Sequence, residues 1–401
     1  MKKTLAAVAV LGAFAASASA DVTVYGRINT SLHALDNQIE LDGAKVVDKT
    51  SFEMATGDYT GSRLGFKGSE KLADGLTAGF VLEAGLKGDT GAGDMFKRET
   101  IVYLGTDYGT FAAGRMGTVV SSAGSWATFA SHATFVGTGT SGLAGTGLFA
   151  NAATRWDNML AYKTPVMGGF QVLAQYSMGD AVDNESVGNN RYAALAAKYQ
   201  AGGLTLVAAV DQINKKAGVA GDDDAYSFNF GGNYNFGTFA VSAGAQYFKG
   251  KQDIAGILAT YNANAKGDID ASTKYASTAT TENAEGYGLM FGVKAPVAGG
   301  NFHFSTTYVE GDADVVDSTV LSLKSTNNAG GTVWDSAAAV KANDTMDAKA
   351  WNVGVMYDYN LSKNTFVYAS AAYTKYEAEM ASGLEAEQTK TEAYVGLVHK
   401  F

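Results

Sequence analysis

Short segments in which apolar and polar residues alternate recur along the whole chain. In NFHFSTTY, Phe302, Phe304 and Tyr308 fall on one side of an extended chain, and His303 and Ser305 fall on the other. Successive side chains of a β-strand point to opposite faces, so the pattern predicts strands with one apolar and one polar face. The pattern recurs in SRLGFKGS, LTAGFVLEAGL, YSFNFGGN, YGLMFGVK and WNVGVMYD.

The alternation predicts sixteen strands in an antiparallel up-and-down order. Seven short connections carry turn residues, as in LADG, PVMGG and NFG, and they alternate strictly with eight long ones. The predicted strands are 22–35, 60–70, 76–86, 98–106, 110–117, 157–164, 170–177, 191–199, 204–213, 225–234, 238–249, 285–296, 301–310, 349–359, 365–375 and 391–401.

The first of these segments, DVTVYGRINTSL, places a base in the polar row of a strand. Arg27 lies opposite the valines and the isoleucine of this segment. An arginine on a lipid face near the bilayer midplane costs about 2–4 kcal/mol. We therefore expect Arg27 to face a water-filled interior, and the same alternation turns Arg63, Lys67 and Glu83 inward.

Strands with two such faces fit either stacked sheets or a membrane barrel. In stacked sheets the apolar faces meet in a dry core, whereas in an outer-membrane barrel they meet lipid and the polar faces line a lumen. The predicted strands run about ten residues, the length of a tilted bilayer crossing. The final segment, AYVGLVHKF, alternates up to Phe401, so it can pair with the first strand and leave no edge unpaired in lipid. An all-β transmembrane barrel is therefore the predicted fold.

The first twenty residues differ from the rest and predict export. Lys2 and Lys3 precede the apolar run TLAAVAVLGAFAA, and small residues follow up to Ala20, as in a secretory signal. We therefore expect residues 1–20 to be a cleaved signal peptide and residues 21–401 to form the barrel.

Composition narrows the class further. The chain has 49 glycines, 11% aromatic residues and no cysteine, which excludes disulfides and thiolate metal sites. The formal net charge is −10, and loss of the two lysines of the leader makes it −12. No basic run is present to neutralise phosphates, so we expect no nucleic-acid partner. The acidic segments lack the spacing of a calcium loop, and we expect no metal site and no cofactor.

Several longer motifs resemble the Gram-negative general diffusion porins: DVTVYGRIN, GSRLGFKGSEKLADGLTAGFVLE, RETIVYLGTDYGTFAAGR, RWDNMLAYKTPVMGGFQV and the terminal VGLVHKF. The resemblance implies a homotrimer of sixteen-stranded barrels in the bacterial outer membrane, in contact with lipid and lipopolysaccharide, with periplasmic termini. It implies a water-filled channel for passive diffusion of ions and small hydrophilic solutes. The third loop, residues 118–156, would fold inward and narrow the pore.

The resemblance also assigns a ladder of bases to one wall of the pore. In such porins the bases after YG, in SRLGF and at the openings of strands four and six line this wall. The corresponding residues here are Arg27, Arg63, Arg98 and Arg155, and Lys163 joins them from the segment that follows the third loop.

A further base of the family pattern corresponds to Arg115. Its direction stays open, because Phe111 and Ala113 share its parity along the strand. For all of these bases the alternative role is to snorkel at a strand end or to form an ion pair there with Glu83, Glu99 or Asp157.

The third loop departs from the family pattern because it contains no Asp or Glu. The resembled porins usually place carboxylates there, opposite the arginines. Here Trp126, Phe129, Phe135 and Phe149 are expected to pack the loop onto the wall. A basic wall without opposing carboxylates lowers the energy of anions, so we expect a mild preference for anions. The acidic outer loops oppose this preference at the mouth, and their effect weakens with salt.

Two other classes of protein are the alternatives. The first is a structural or adhesin barrel whose outer loops bind a surface. The second is an outer-membrane enzyme, which needs a serine, a histidine and an acidic or amide side chain grouped together. No G-x-S-x-G motif occurs, and the four histidines, at positions 33, 132, 303 and 399, are dispersed. We therefore expect no catalytic residues.

Overall fold

The computed structural model describes residues 22–41, 43–134, 154–179, 191–214, 224–251, 274–276, 281–315, 320–326, 332–339, 344–381, 383 and 385–401. The expected signal peptide lies outside the described residues. In the described part of the chain, no helix is long and apolar enough to cross a membrane.

The described residues form twenty strands and one short helix, α1 (Phe129–Ala133). The strands are β1 (Thr23–Leu41), β2 (Ala44–Thr56), β3 (Arg63–Ala73), β4 (Leu76–Leu86), β5 (Gly93–Thr106), β6 (Gly109–Gly117), β7 (Arg155–Lys163), β8 (Phe170–Ser177), β9 (Arg191–Ala201), β10 (Leu204–Asn214), β11 (Ala225–Asn235), β12 (Ala240–Lys251), β13 (Lys274–Ala276), β14 (Thr281–Val297), β15 (Gly300–Val315), β16 (Val320–Thr326), β17 (Thr332–Ala339), β18 (Asp344–Asn360), β19 (Thr365–Met380) and β20 (Glu385–Lys400).

Seventeen of these strands form one antiparallel sheet that closes on itself, because β1 pairs with β20. β2 and β3 share one position beside β1: β3 pairs with residues 23–27 of β1, and β2 pairs with residues 30–41. Seventeen strands therefore fill sixteen positions, and the predicted sixteen-stranded barrel is confirmed. The other three strands, β13, β16 and β17, form a separate small sheet.

The two rows of the alternation lie on opposite surfaces of the barrel. Val24 and Phe228 are 55% and 52% exposed on the outer surface, whereas Asn29 and Asn229 are buried on the inner wall. Away from the charged strand ends, the outer row presents apolar side chains, and the inner row carries hydroxyls, amides and charges. This division is the one expected of a barrel that meets lipid outside and water inside.

The observed strands extend beyond the predicted ones at the rim that carries the long loops. The connection expected between the predicted strands 365–375 and 391–401 is reduced to residues 381–384, because β19 and β20 continue on either side. The alternation also continues there: Ala378 and Ala386 are buried. Glutamates occupy the outer row of these strand ends.

Barrel closure brings three chain segments together at Gly26. Its amide donates to the carbonyl oxygen of Phe401 (2.9 Å), and the amide of Phe401 donates to the Gly26 carbonyl oxygen (3.1 Å). A Cβ atom at position 26 would lie 2.5 Å from the backbone oxygen of Arg63 and 2.5 Å from the Phe401 ring. The junction of β1, β3 and the chain end therefore requires glycine.

Substitution of Gly26→Ala is expected to destabilise the folded barrel by about 1–3 kcal/mol, because a backbone oxygen must move to admit the methyl group. The measurement is the temperature at which the folded band converts to the unfolded band on semi-native gels. Gly105→Ala is the matched control, since its nearest neighbouring atom would lie 3.8 Å away. Equal transition temperatures for the two variants would contradict the expectation.

Candidate pore constriction

Two arginines share one buried carboxylate on the inner wall. The Nε atom of Arg98 lies 2.8 Å from Oε1 of Glu83, and Nη1 of Arg63 lies 3.5 Å from the same oxygen. The hydroxyl of Tyr25 donates to the other oxygen of Glu83 at 3.2 Å. One negative charge thus faces two positive charges, and the group keeps a net positive charge.

A bulge in β5 brings Arg98 into this group. In the register of the two strands, Glu83 of β4 lies opposite Glu99 of β5, and Gly85 lies opposite Asp94. Residues 95–98 of β5 therefore lie opposite the single residue between Glu83 and Gly85. Phe96, inside the bulge, has a φ of 55°, in the left-handed region. Such bulges redirect side chains. Here Arg98 and Glu99 both contact inner-wall partners, which strict alternation along a strand would not allow.

Arg27 and Arg155 are held by uncharged oxygens. Nη1 of Arg27 donates to Oγ1 of Thr60 (3.4 Å), and Nε of Arg155 donates to the backbone oxygen of Arg98 (2.6 Å). Within the described ranges, neither guanidinium forms an ion pair with a carboxylate. These two arginines therefore contribute positive charge that no directly paired carboxylate cancels.

The two lysines of the expected site contact aromatic rings. Nζ of Lys67 lies 5.4 Å from the ring centre of Tyr25, and the side chain of Lys67 is exposed. Nζ of Lys163 lies 4.6 Å from the ring of Trp126 in the third loop. Lys163 therefore faces the loop, and Lys67 sits beside the Tyr25–Glu83 contact.

Arg115 does not join this group. It pairs in register with Thr100 and shares a strand face with Phe111, which is 55% exposed. Its Nη1 atom lies 2.7 Å from Asp157, and its Nε atom donates to the backbone oxygen of Lys97 (2.6 Å). Arg115 therefore forms an ion pair with Asp157. The parity that it shares with Phe111 is the feature of the sequence that left its direction open.

The third loop runs along the inner wall. The amide of Val119 donates to Oε1 of Gln175, whose Nε2 donates to the backbone oxygen of Gly117, both at 2.8 Å. The amide and hydroxyl of Ser125 donate to the carboxylate of Glu99, at 3.1 and 2.6 Å. Because Gln175 and Glu99 are buried inner-wall residues, these bonds hold the loop inside the barrel.

Aromatic side chains attach the same loop to the wall. Trp126 and Phe129 are 2% and 1% exposed. Phe135 and Phe149, to which the same role was assigned, lie outside the described residues. β7 begins at Arg155, so the connection after β6 is slightly shorter than the expected loop 118–156.

The helix α1 carries the loop to the opposite side of the lumen. It packs against β10, β11, β12 and β14, and Nδ2 of Asn233 donates to the backbone oxygen of His132 at 2.9 Å. Burial lowers the pKa of His132 below its ordinary value, so the imidazole is neutral at pH 7. His132 is the only titratable residue among positions 118–134, so this part of the loop carries no charge.

Two partners of the arginines were not singled out in the sequence. Oγ1 of Thr60 accepts from Nη2 of Arg63 (3.2 Å) as well as from Arg27, and the backbone oxygen of Gly61 accepts from Nε of Arg63 (3.1 Å). The alternation predicted the start of a strand at position 60, but β3 begins at Arg63. No local pattern marks these residues as partners of distant arginines.

A closed barrel with an apolar outer surface, a loop folded against its inner wall and a group of arginines beside that loop defines an outer-membrane channel. A family model described as Gram-negative porin matches residues 6–379, and the chain belongs to this family of channels. Outer membrane porin proteins of Bordetella pertussis and Delftia acidovorans are 29% and 28% identical to it, each over the full length of both chains.

Solved structures show the same fold at lower sequence identity. An anion-selective porin from Comamonas acidovorans superimposes with a TM-score of 0.63 and 19% identity, over 96% of this chain and 100% of that chain. The outer membrane channel DcaP of Acinetobacter baumannii gives a TM-score of 0.59 at 14% identity, over 96% and 99%. The protein is thus an outer-membrane porin whose barrel crosses the membrane many times.

Proposed function

We propose that the protein is a channel for passive diffusion of ions and small hydrophilic solutes, and that its constriction prefers anions. The observation that carries this proposal is the charge balance of the inner wall. Arg27, Arg63, Arg98 and Arg155 gather there, and Glu83 is the carboxylate that two of them share. Together they form the proposed constriction, with Lys163 beside the third loop.

The third loop supports the preference for anions because it places no carboxylate opposite the arginines. It contains no Asp or Glu along its whole length, and Ser125 occupies the carboxylate of Glu99 with two hydrogen bonds. A wall whose bases outnumber its carboxylates, here four arginines against Glu83 and Glu99, lowers the energy of an anion and raises that of a cation in a narrow, water-filled passage. The Comamonas structure, named as an anion-selective porin, shares this fold.

The outer rim has the opposite charge. Lysines pair with Glu285, Glu377 and Glu387 at the strand ends there. The carboxylates nevertheless outnumber these lysines, because the cleft at this rim is also lined by Glu310, Asp312, Asp347, Glu379 and Glu385. Such carboxylates attract cations to the mouth, over a range of about 10 Å at 0.1 M salt and about 3 Å at 1 M. The preference of the constriction should therefore become clearer as salt concentration rises.

The assembly that we propose is a homotrimer embedded in outer-membrane lipid and lipopolysaccharide, with both termini on the periplasmic side. A related fold from Vibrio cholerae, OmpT, has been solved in a trimer form. We also propose that residues 1–20 are removed during export, as their charge and hydrophobicity pattern indicates.

Reversal potentials of single channels in a KCl gradient test the proposal. We expect a chloride-to-potassium permeability ratio above one, and a larger ratio at about 1 M than at about 0.1 M salt, because salt screens the rim more than the narrow constriction. A clear potassium preference at the higher concentration would overturn the proposed selectivity, and absence of conductance would overturn the channel.

A further inference from the structure

A six-residue segment between β2 and β3 leaves the barrel wall and folds inward. β2 ends at Thr56 and β3 begins at Arg63, and both strands share one position beside β1. The segment between them, residues 57–62, contains no strand residue. Thr60 and Ser62 are buried, at 5% and 2% exposure, among inner-wall side chains.

One buried amide, that of Asn29 on β1, anchors this segment. Its Oδ1 accepts hydrogen bonds from the amides of Tyr59 (3.0 Å) and Thr60 (3.2 Å), and its Nδ2 donates to the hydroxyl of Tyr368 (3.0 Å). The backbone amide of Asn29 donates to Oγ of Ser62 at 2.9 Å. The conformation of residues 57–62 is therefore fixed from the inner wall.

Ring packing adds a second anchor on β19, which lies beyond β20 where β1 and β20 close the barrel. The ring of Tyr59 lies 4.9 Å from that of Phe366 and 5.3 Å from that of Tyr368, between ring centres. Both partners belong to the buried inner row of β19. The segment is thus held between β1 and β19. Its carboxylate, Asp58, accepts a hydrogen bond from the hydroxyl of Ser31 on β1, whereas Thr60 and Gly61 contact the arginines.

Three arginines from three strands meet the segment at Thr60 and Gly61. The Thr60 hydroxyl accepts from Arg27 and Arg63, and the Gly61 carbonyl accepts from Arg63. A Cβ atom at position 61 would lie 2.9 Å from Nη1 of Arg98. Arg98 therefore packs directly against the glycine, which has no side chain to displace it.

The chemistry of these contacts matters because the acceptors are uncharged. A hydroxyl and a carbonyl oxygen orient a guanidinium through hydrogen bonds without cancelling its charge. A carboxylate in the same place would orient it equally well and would remove one unit of charge from the wall. Uncharged acceptors thus fix the arginines while leaving their field in the lumen.

We propose that residues 57–62 form a second inward constriction segment, which positions Arg27, Arg63 and Arg98 through uncharged contacts, with Thr60 as its principal positioning residue. The inference deepens the proposed function and rests on the anion preference stated there. Without the Thr60 hydroxyl, Arg27 loses its acceptor and is drawn towards the carboxylate of Glu83, while Arg63 keeps only Glu83 and the Gly61 carbonyl as partners. That rearrangement weakens the positive field.

The test compares three threonine variants of the full-length porin. Thr60→Val keeps the shape of the side chain but removes the acceptor, and we expect it to lower the chloride-to-potassium permeability ratio about twofold. Thr60→Ser restores the hydroxyl and is expected to restore the ratio. Thr307→Val is the matched control: Thr307 is buried on the inner row of β15, and its hydroxyl has no hydrogen-bond partner among the described residues.

A fourth variant keeps the inference testable if Thr60→Val does not fold. Gly61→Ala places a methyl group against Arg98 and is expected to lower the ratio in the same direction, with Gly105→Ala as its control. The temperature of the folded-to-unfolded band conversion is measured for every variant, so that a loss of selectivity is separated from a loss of structure.

The outcomes distinguish this inference from the function on which it rests. An unmodified channel without anion preference overturns the proposed selectivity. An anion-preferring channel whose ratio is the same in Thr60→Val and Gly61→Ala overturns the positioning role of the segment. A ratio lowered equally by Thr60→Val and Thr60→Ser also overturns that role, because the hydroxyl would then not be the group that matters.

Discussion

Replacing Arg27 and Arg155 together with glutamine is expected to lower the chloride-to-potassium permeability ratio about fivefold. These two guanidiniums donate to uncharged oxygens of Thr60 and Arg98, and in the described part of the chain neither has a carboxylate partner. Removing them therefore removes positive charge that no directly paired carboxylate cancels. Reversal potentials in a KCl gradient measure the change, and single-channel conductance shows that the pore still opens.

Arg115→Gln is the matched control for the double substitution. Arg115 is already paired with Asp157 at 2.7 Å and lies on the strand face of Phe111. Its loss is expected to leave the permeability ratio within experimental error of the unmodified channel. A shift as large as that of the double variant would mean that total charge, rather than the arrangement of the constriction, sets selectivity.

Replacing Glu83 with glutamine is expected to raise the same ratio about threefold and to destabilise the barrel by about 2 kcal/mol. Glu83 is the shared partner of Arg63 and Arg98, and all three side chains are largely buried. The amide keeps the volume but leaves Arg63 and Arg98 without the negative charge that both contact. Selectivity is measured by reversal potential, and stability by the temperature of band conversion on semi-native gels.

Asp157→Asn provides the comparison for Glu83→Gln. It also removes one carboxylate that pairs with an arginine, but its side chain is 58% exposed, and exposed ion pairs contribute little to stability. Small changes in both measurements are expected. If Asp157→Asn and Glu83→Gln behave alike, then the shared contact at Glu83 has no special part in the constriction.

The predicted fold rested on information that is local in the sequence. A strand places neighbouring side chains on opposite faces, so the alternation around Arg27 indicates which side of the sheet it occupies. The structure places Arg27 on the inner wall beside Thr60, with Val24 on the outer surface. The same local rule predicted the sixteen-stranded barrel and its closure near Phe401.

The local rule was less reliable where charge and alternation disagree. The sequence predicted a connection at residues 376–390, but its glutamates occupy the outer row of β19 and β20 while Ala378 and Ala386 lie in the inner row. Strands that project beyond the bilayer can carry charge on their outer face, because that face then meets water rather than lipid. The predicted connection was therefore longer than the observed one.

The sequence by itself determined the class of fold, the two faces of each strand and the absence of carboxylates from the third loop. Only the tertiary structure decided which bases meet: the bulge at Phe96 turns Arg98 inward, and register pairs Arg115 with Thr100. It also decided that the hydroxyl of Thr60 accepts hydrogen bonds from two arginines. The physical reason is that alternation is a property of neighbouring residues, whereas bulges, register and inward segments depend on contacts between strands that are far apart in the chain.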